Sequence, residues 1–211
     1  MFDTITGWVA TSFSIASGAC LLAVAIYKGW QQLSYHLKKT SYIKSFKREK
    51  DIYKAVQSAL QRSAADFVGF FQFHNTEHSI GNTGFLKVSM TQEAVREGLP
   101  SRMSSLKDVF LGQHMGLYEP ILDGKEVIIP NMEAHEANTS VSKLLNPLQI
   151  KTYLAVPIQK KGLIVGYISI SYIRDIGAES SILHPEESLL SSAFRTLYSL
   201  KGVIENIIKQ S

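Results

Sequence analysis

The chain has 211 residues, of which 45% are hydrophobic and 19% are charged; this suits one globular domain with an extension and excludes a disordered or low-complexity polypeptide. The formal net charge is +4, but residues 28–54 contain eight basic residues and two acidic ones, a local surplus of +6. The rest of the chain is therefore slightly acidic, which argues against a nucleic-acid-binding face on the main domain. The single cysteine, Cys20, can form no disulfide within the chain, so cysteine usage does not identify a compartment.

Residues 1–28 have the composition of a transmembrane anchor. Positions 4–27 contain no charged residue, and the last 20 of them would form a helix about 30 Å long, the thickness of the hydrocarbon core of a bilayer. The residues expected at the membrane interface are Trp8, Tyr27, Lys28 and Trp30. A cleaved signal peptide lacks support because no basic residue precedes the apolar run, and a buried core helix would be unusually long. We therefore predict a single-pass membrane helix.

Small and hydroxylated residues form a stripe along this predicted membrane helix. The stripe consists of Gly7, Thr11, Ser14 and Gly18, continued by Ala25. Small residues four positions apart let helix backbones approach closely in lipid, and hydroxyl groups can hydrogen-bond across the interface. We expect this surface to associate with further copies of the chain, so that the protein is a homo-oligomer in the membrane.

Residues 29–64 are predicted to form an amphipathic juxtamembrane helix. Neither proline nor glycine occurs between Trp30 and Arg62, and apolar residues recur at spacings of three and four, beginning with Trp30, Leu33 and Leu37. A short parallel coiled coil is a further possibility, although the repeat breaks near Thr40.

Residues 65–211 read as one α+β domain with a mainly antiparallel five-stranded sheet and flanking helices. The predicted strands are DFVGFFQF, FLKVS, the end of LDGKEVIIP, and the two strands of the hairpin KTYLAVPIQKKGLIVGYISISYI. The predicted helices are a turn in TQEAVREG, then SSLKDVFLGQHMGLY, EAHEANTSVSKLL and a last helix from Pro185 to about Lys209.

The stretch HNTEH, residues 74–78, has the H-x-x-E-H spacing of a zinc-protease motif. That chemistry requires a helix, which places both histidines one turn apart on one face, whereas this stretch follows a predicted strand. We expect no metal here. The candidate pocket or partner-binding loop consists of His74, Asn75, Glu77, His78 and Asn82. The chain has no phosphate-binding glycine loop, no nucleophile elbow and no other catalytic constellation, so we predict a protein that is not an enzyme and has no cofactor.

The domain resembles GAF domains, and more loosely PAS-like domains. The resemblance lies in the strand DFVGFFQF, in KEVIIPNM followed by a helix, and in IKTYLAVPIQKKGLIVGYISISY, which contains the "L-x-V-P-I" and spaced glycines of that family. It implies a sheet whose covering helices enclose a small-molecule pocket, with no indication of the ligand.

The whole chain is also similar to the single-span (class III) holins of T-even-type bacteriophages. SAADFVGFFQF, IVGYISISYIRD and HPEESLLSSAFRTL resemble that family's strand entry, penultimate strand and closing helix. This resemblance implies a phage protein of host cell lysis that oligomerises in the host inner membrane and opens lesions, with a periplasmic domain that receives an antiholin signal. The basic residues after the predicted span favour a cytoplasmic domain instead. The alternative is a membrane-anchored cytoplasmic GAF-type sensory or regulatory module that binds a small molecule or partner, with the basic helix against anionic lipids.

Overall fold

The computed structural model describes residues 2–78, 84–134, 139–176 and 189–210, with backbone alone for residues 2–25, 75–78 and 84–85. Two compact units are present, Met1–Lys47 and Arg48–Ser211. In chain order the helices and strands are α1 (Phe2–Ser63), β1 (Phe67–His78), β2 (Gly84–Val95), β3 (Val109–Phe110), α2 (Met115–Leu122), β4 (Val127–Ile129), α3 (Ser140–Leu145), β5 (Thr152–Lys160), β6 (Leu163–Tyr172) and α4 (Leu189–Lys209). Short 3-10 helices occupy Leu111–His114 and Asn146–Leu148.

The prediction of a transmembrane anchor at residues 1–28 was wrong. Among the residues that the structure describes, no helix is both long enough and apolar enough to cross a membrane. The single-pass topology predicted from the sequence is therefore wrong.

The residues predicted to act in the membrane are distributed as follows. Only the backbone is described for the predicted association stripe and for the first interface residue, which are Gly7, Thr11, Ser14, Gly18 and Trp8. The side chains of Tyr27 and Trp30 are exposed, by 61% and 69%.

The sheet has six strands in the order β3-β2-β1-β6-β5-β4, and every neighbouring pair is antiparallel. The prediction of five strands was wrong because β3 has only two residues, too few to show an alternating pattern. The central strands β1 and β6 pair from Phe67↔Ser171 to Gln72↔Gly166. Each of these two strands therefore has both faces covered and contributes side chains to two separate cores.

One hydrophobic core lies between the sheet and the pair formed by α4 and the end of α1. Ile52 and Val56 from α1 and Leu197 and Ile204 from α4 belong to it, and Ile168 of β6 is among the residues that meet them from the sheet. The second core lies on the opposite face of the sheet, under α2 and α3, and includes Phe71, Leu117, Val141 and Tyr167. Alternation along β6 assigns Ile168 and Ile170 to the first core and Tyr167 to the second.

Several predicted helices begin or end elsewhere. TQEAV, residues 91–95, is the end of β2 rather than a helical turn. The stretch contains good helix formers, but its Ala94 is fully buried and pairs with Val68 of β1. The predicted helix SSLKDVFLGQHMGLY is divided into β3, a 3-10 turn and α2, and α2 continues through Pro120. In the third case, α3 is capped by the Thr139 side chain, which accepts a hydrogen bond from the Ser142 N–H, so the helix begins at Ser140. Residues 177–188, where the last helix was expected to begin, are outside the described residues.

Candidate functional site

A small cavity lies on the α2/α3 face of the sheet. Its volume is about 20 Å³, which is enough for one water molecule. The floor is formed by alternate residues of the two central strands: Gly69 and Phe71 from β1, and Tyr167, Ser169 and Ser171 from β6. Gly69, Ser169 and Ser171 have small side chains, whereas Phe71 and Tyr167 beside them carry aromatic rings. The cavity is the space that these small side chains leave on the sheet.

Arg102 is the charged residue in the lining of this cavity. It lies in the connection between β2 and β3 and is only 8% exposed. Glu93 positions it: the Glu93 carboxylate accepts hydrogen bonds from the Arg102 backbone N–H, at 3.0 Å to Oε1, and from the Ser101 hydroxyl. The guanidinium stacks over the Phe67 ring, 3.3 Å from its centroid.

The Arg102 charge is poorly compensated. Its Nη1 atom is buried and has no hydrogen-bond partner among the described residues. Burial lowers the pKa of Arg102 to about 10, against the opposing attraction of Glu93 and Asp66. A buried donor without a partner destabilises the fold by roughly 1–3 kcal/mol, and more when it is charged. An incoming acceptor at this atom would remove that penalty.

Two buried tyrosines, Tyr153 and Tyr167, are part of the cavity lining, and Tyr118 is buried beside Tyr167. The Tyr167 ring stacks on Phe71, with centroids 4.4 Å apart and planes 6° apart, and its hydroxyl is hydrogen-bonded with those of Tyr118 and Tyr153. Burial raises the pKa of all three hydroxyls, that of Tyr153 to about 12. These groups are therefore neutral at physiological pH and act as hydrogen-bonding walls rather than as proton-transfer groups.

A wider surface cleft adjoins the cavity. Its volume is about 520 Å³, and its lining combines Met132, Ile150 and Ile173 with Glu133, Asn146, Gln149 and Lys151. The ammonium group of Lys151 donates to Glu133 at 2.8 Å. Ile150 is part of the lining of both spaces, so this one apolar side chain stands between the cleft and the Arg102 cavity.

His74 belongs to a cluster with Ser89 and Asp108, residue types that also form hydrolase triads. Its Nε2 atom lies 2.9 Å from the Ser89 hydroxyl and 3.5 Å from the Asp108 carboxylate. In a triad the carboxylate holds the other ring nitrogen, which orients the imidazole as a base. Here both groups meet the same nitrogen, and the Ser89 oxygen accepts the Asp108 backbone N–H at 2.8 Å. This arrangement stabilises the turn before β3 and is unsuited to nucleophilic catalysis.

The other residues of the predicted loop fall in different places. His74, Asn75, Glu77 and His78 lie on β1, which continues to His78; Asn82 is outside the described residues, as are the side chains of Asn75, Glu77 and His78. A strand cannot give the helical geometry of an H-x-x-E-H zinc site. In the described part of the chain no group of three or more histidine, cysteine, aspartate or glutamate residues could hold a metal ion. His74 is absent from the cavity lining, because alternation along β1 turns it to the face opposite Phe71.

Sequence reasoning missed Arg102 and the serines of β6. Arg102 is a single basic residue in a loop, next to Pro100 and Ser101, and no periodic pattern marks it. The alternation Tyr167, Ser169, Ser171 did contain a usable pattern, since polar residues at every second position of a central strand indicate that one face borders a polar space.

Solved structures with the same fold are GAF domains. The phycocyanobilin-bound GAF domain of a cyanobacterial phytochrome matches with a TM-score of 0.56 and 13% identity, over 82% of this chain and 90% of that one. A red/green cyanobacteriochrome in its green light-absorbing state gives 0.53 and 14%, over 78% and 95%. The PixJ GAF domain of Thermosynechococcus elongatus, in its blue-light absorbing form, gives 0.51 and 16%, over 78% and 89%. No family model and no curated protein sequence matches the chain.

These matches show that the chain has the GAF fold. They support the resemblance to GAF domains that the strand sequences indicated, and they give no support to the resemblance to holins. A holin acts through a membrane-crossing helix, and the described residues contain none. The predictions of a phage lysis function and of an inner-membrane location are therefore wrong.

Proposed function

We propose that this chain is a non-enzymatic sensory or regulatory GAF module whose signal is a small molecule bound between the sheet and the α2/α3 layer. The observation that carries the proposal is the Arg102 cavity. It combines an enclosed apolar and aromatic wall with a few convergent polar groups, which is the usual composition of a small-molecule site.

The size of the site limits the ligand. The matched phytochrome domain is described as phycocyanobilin-bound, and a tetrapyrrole of that size needs a pocket of several hundred Å³. In this chain the cavity on the sheet face is only about 20 Å³, and Phe71 and Tyr167 of its lining stack on each other. We therefore propose a ligand much smaller than a bilin, with its larger part, if it has one, in the cleft beside Ile150.

The test is a thermal-shift screen of the full chain against small metabolites, with phycocyanobilin included. A ligand that binds the folded state alone raises the unfolding midpoint by RT ln(1 + [L]/Kd) divided by the unfolding entropy. We expect hits among compounds of a few heavy atoms and no change in the absorbance spectrum of phycocyanobilin.

Two serine variants locate the binding. Ser169→Val fills the cavity and should abolish the shift, whereas Ser104→Val, at an exposed position of the same loop as Arg102, should leave it unchanged. Each shift is measured relative to the variant's own midpoint, so a loss of basal stability is not mistaken for lost binding. A phycocyanobilin adduct, or hits that persist in Ser169→Val, would refute the proposed site.

A second candidate function is self-association through α1. Ile26, Trp30, Leu33 and Leu37 follow one another at spacings of four, three and four, and they are exposed by 64%, 69%, 54% and 64%. This apolar stripe has the heptad spacing of a two-stranded coiled coil. We propose a homo-oligomer formed through it, without a nucleic-acid partner.

The oligomer proposal is tested by sedimentation of two lysine variants. Leu33→Lys places a charge on the stripe, and Gln32→Lys places the same charge on an exposed neighbouring position. We expect the first variant to sediment as a monomer and the second to match the parent chain. A parent chain that is monomeric at tens of micromolar would contradict the proposal.

A further inference from the structure

We infer that Arg102 recognises an acidic group, and that the signal read by this module is a small carboxylate held by the guanidinium in the cavity on the sheet. This inference rests on the proposed function, whose site it shares, and adds the chemical class of the ligand. Its basis is a buried guanidinium whose Nη1 atom has no hydrogen-bond partner among the described residues, on a residue that lines the cavity.

The carboxylates near Arg102 are occupied elsewhere. Glu93 accepts the Ser101 hydroxyl and the Arg102 backbone N–H, so it fixes the loop. Asp66 forms an ion pair with Arg96, at 2.7 Å, and accepts the Ile173 backbone N–H at 2.7 Å. Neither carboxylate satisfies Nη1 of Arg102, which has no partner in the part of the chain that the structure describes. An external acceptor at Nη1 would therefore complete the hydrogen bonding of this guanidinium.

The surroundings hold the guanidinium ready for a planar oxyanion. Stacking on Phe67 fixes the plane of the group, and a carboxylate pairs best with guanidinium N–H groups in that same plane. The hydroxyl-bearing residues Ser169 and Ser171 line the floor of the cavity, 4% exposed each. The Ser169 hydroxyl is hydrogen-bonded with Tyr153, so the Ser171 hydroxyl is the neutral group proposed to donate to a second oxygen.

The cavity volume favours the smallest carboxylates. About 20 Å³ accommodates one water-sized group, so formate requires a modest adjustment of the lining and acetate a larger one. Met90 is in the lining, and its unbranched side chain can change rotamer at little cost. Affinity should therefore fall from formate to acetate to longer monocarboxylates.

The experiment measures the unfolding midpoint of the full chain in sodium formate and sodium acetate, with sodium chloride at equal ionic strength as reference. Arg102→Met removes the guanidinium and keeps an unbranched apolar side chain. Arg102→Lys keeps the charge without the planar donors, and Arg62→Met removes an exposed arginine at the end of α1, which matches the charge change away from the cavity.

We expect the midpoint of the parent chain and of Arg62→Met to rise saturably with formate, more than with acetate, and not with chloride. Arg102→Met should lose the response, and Arg102→Lys should require at least about tenfold more formate, the effect of losing one charge-assisted hydrogen bond. Without added ligand, Arg102→Met should unfold at the same midpoint or higher, because an unpartnered buried donor is removed.

Other results would overturn the inference. Equal responses in the parent chain and Arg102→Met would identify a general salt effect, and an equal response to chloride would remove the assignment to carboxylates. If small neutral metabolites stabilise the chain through the Ser169 side of the cavity while carboxylates do not, the acidic ligand is wrong and the sensory function stands. If no compound responds to cavity filling at Ser169, the proposed function fails as well.

Discussion

Gly166 of β6 lies directly against the backbone of β1, and replacing it with alanine should be strongly destabilising. A Cβ atom at this position would lie 2.0 Å from the Phe71 carbonyl oxygen, 3.1 Å from the Phe71 carbonyl carbon and 3.2 Å from the Gln72 Cα. All three are backbone atoms of β1, so no side chain can rotate away. The clash is relieved only if β1 and β6 separate by about 1 Å, a displacement that overpacking imposes at a cost of about 1–3 kcal/mol or more.

Separation would also weaken the ladder between the two strands. Gly166 pairs with Gln72 at the end of the β1–β6 register, and each lost hydrogen bond contributes a further ~1 kcal/mol. We therefore expect Gly166→Ala to lower the free energy of unfolding by roughly 3–5 kcal/mol, a large part of the 5–15 kcal/mol typical of a domain. Because Tyr167 stacks on Phe71 beside this point, the cavity wall should be disturbed as well.

Gly202→Ala is the matched control for this prediction. Gly202 lies in α4, and no atom of the described residues outside the helix's own turns comes within 4 Å of the place where the alanine methyl group would lie. Alanine is favoured over glycine in a helix by about 0.5–1 kcal/mol. Urea denaturation followed by circular dichroism should therefore show a lower midpoint for Gly166→Ala and a slightly higher one for Gly202→Ala. A Gly166→Ala variant within about 1 kcal/mol of the parent chain would refute the close approach of the two strands.

Three further predictions concern the cores and the buried tyrosines. Leu197→Ala, at a fully buried position of α4, should lower the free energy of unfolding by about 2–5 kcal/mol. Tyr198→Ala, at the half-exposed neighbouring position, should lower it by much less. Equal losses in urea denaturation would contradict the orientation of α4. Asp66→Asn should cost roughly 1.5–3 kcal/mol, since a buried carboxylate loses its charge-assisted bonds to Arg96 and the Ile173 N–H, and a thermal midpoint equal to the parent's would rule this out. Burial raises the pKa of Tyr153 from 10.0 to about 12, so between these pH values the unfolded chain has released a proton that the folded chain keeps. The free energy of unfolding should therefore fall by about 1.4 kcal/mol per pH unit through this residue. In Tyr153→Phe the free energy of unfolding should depend less steeply on pH in this alkaline range.

The parts of the fold that were predictable from sequence are those with a local pattern. The period of three and four from Trp30 to Leu60 indicated a helix, and α1 covers it. The hairpin of β5 and β6 was visible because two apolar runs flank Lys160-Lys161-Gly162, where Lys161 and Gly162 have positive φ values of 52° and 80°. In both cases the residues that decide the structure are neighbours in the chain.

The candidate site depends on contacts between distant residues, and this is why the sequence did not reveal it. Arg102 is placed by Glu93, stacks on Phe67 and faces serines of β6, so its role appears only when four segments are brought together. The prediction of a helical turn at the end of β2 was wrong for the same reason. Residues 91–95 favour a helix locally, but they form a strand because they pair with β1. His74 did stand out in the sequence, as part of a predicted loop. It lies on strand β1, with its side chain on the face of the sheet opposite the cavity.

The alternation along β6 links the fold to the size of the cavity on the sheet. Every second residue faces the cavity, and the series Tyr167, Ser169, Ser171 places a large ring at one end and small polar side chains at the other. The stacked pair of Tyr167 and Phe71 excludes a large flat ligand, while the serines and Arg102 leave a polar space of about one water molecule beside a buried positive charge. The choice of side chains at a few alternate positions of a GAF sheet can therefore leave only a small polar space beside a buried positive charge, without any change in the order of the strands.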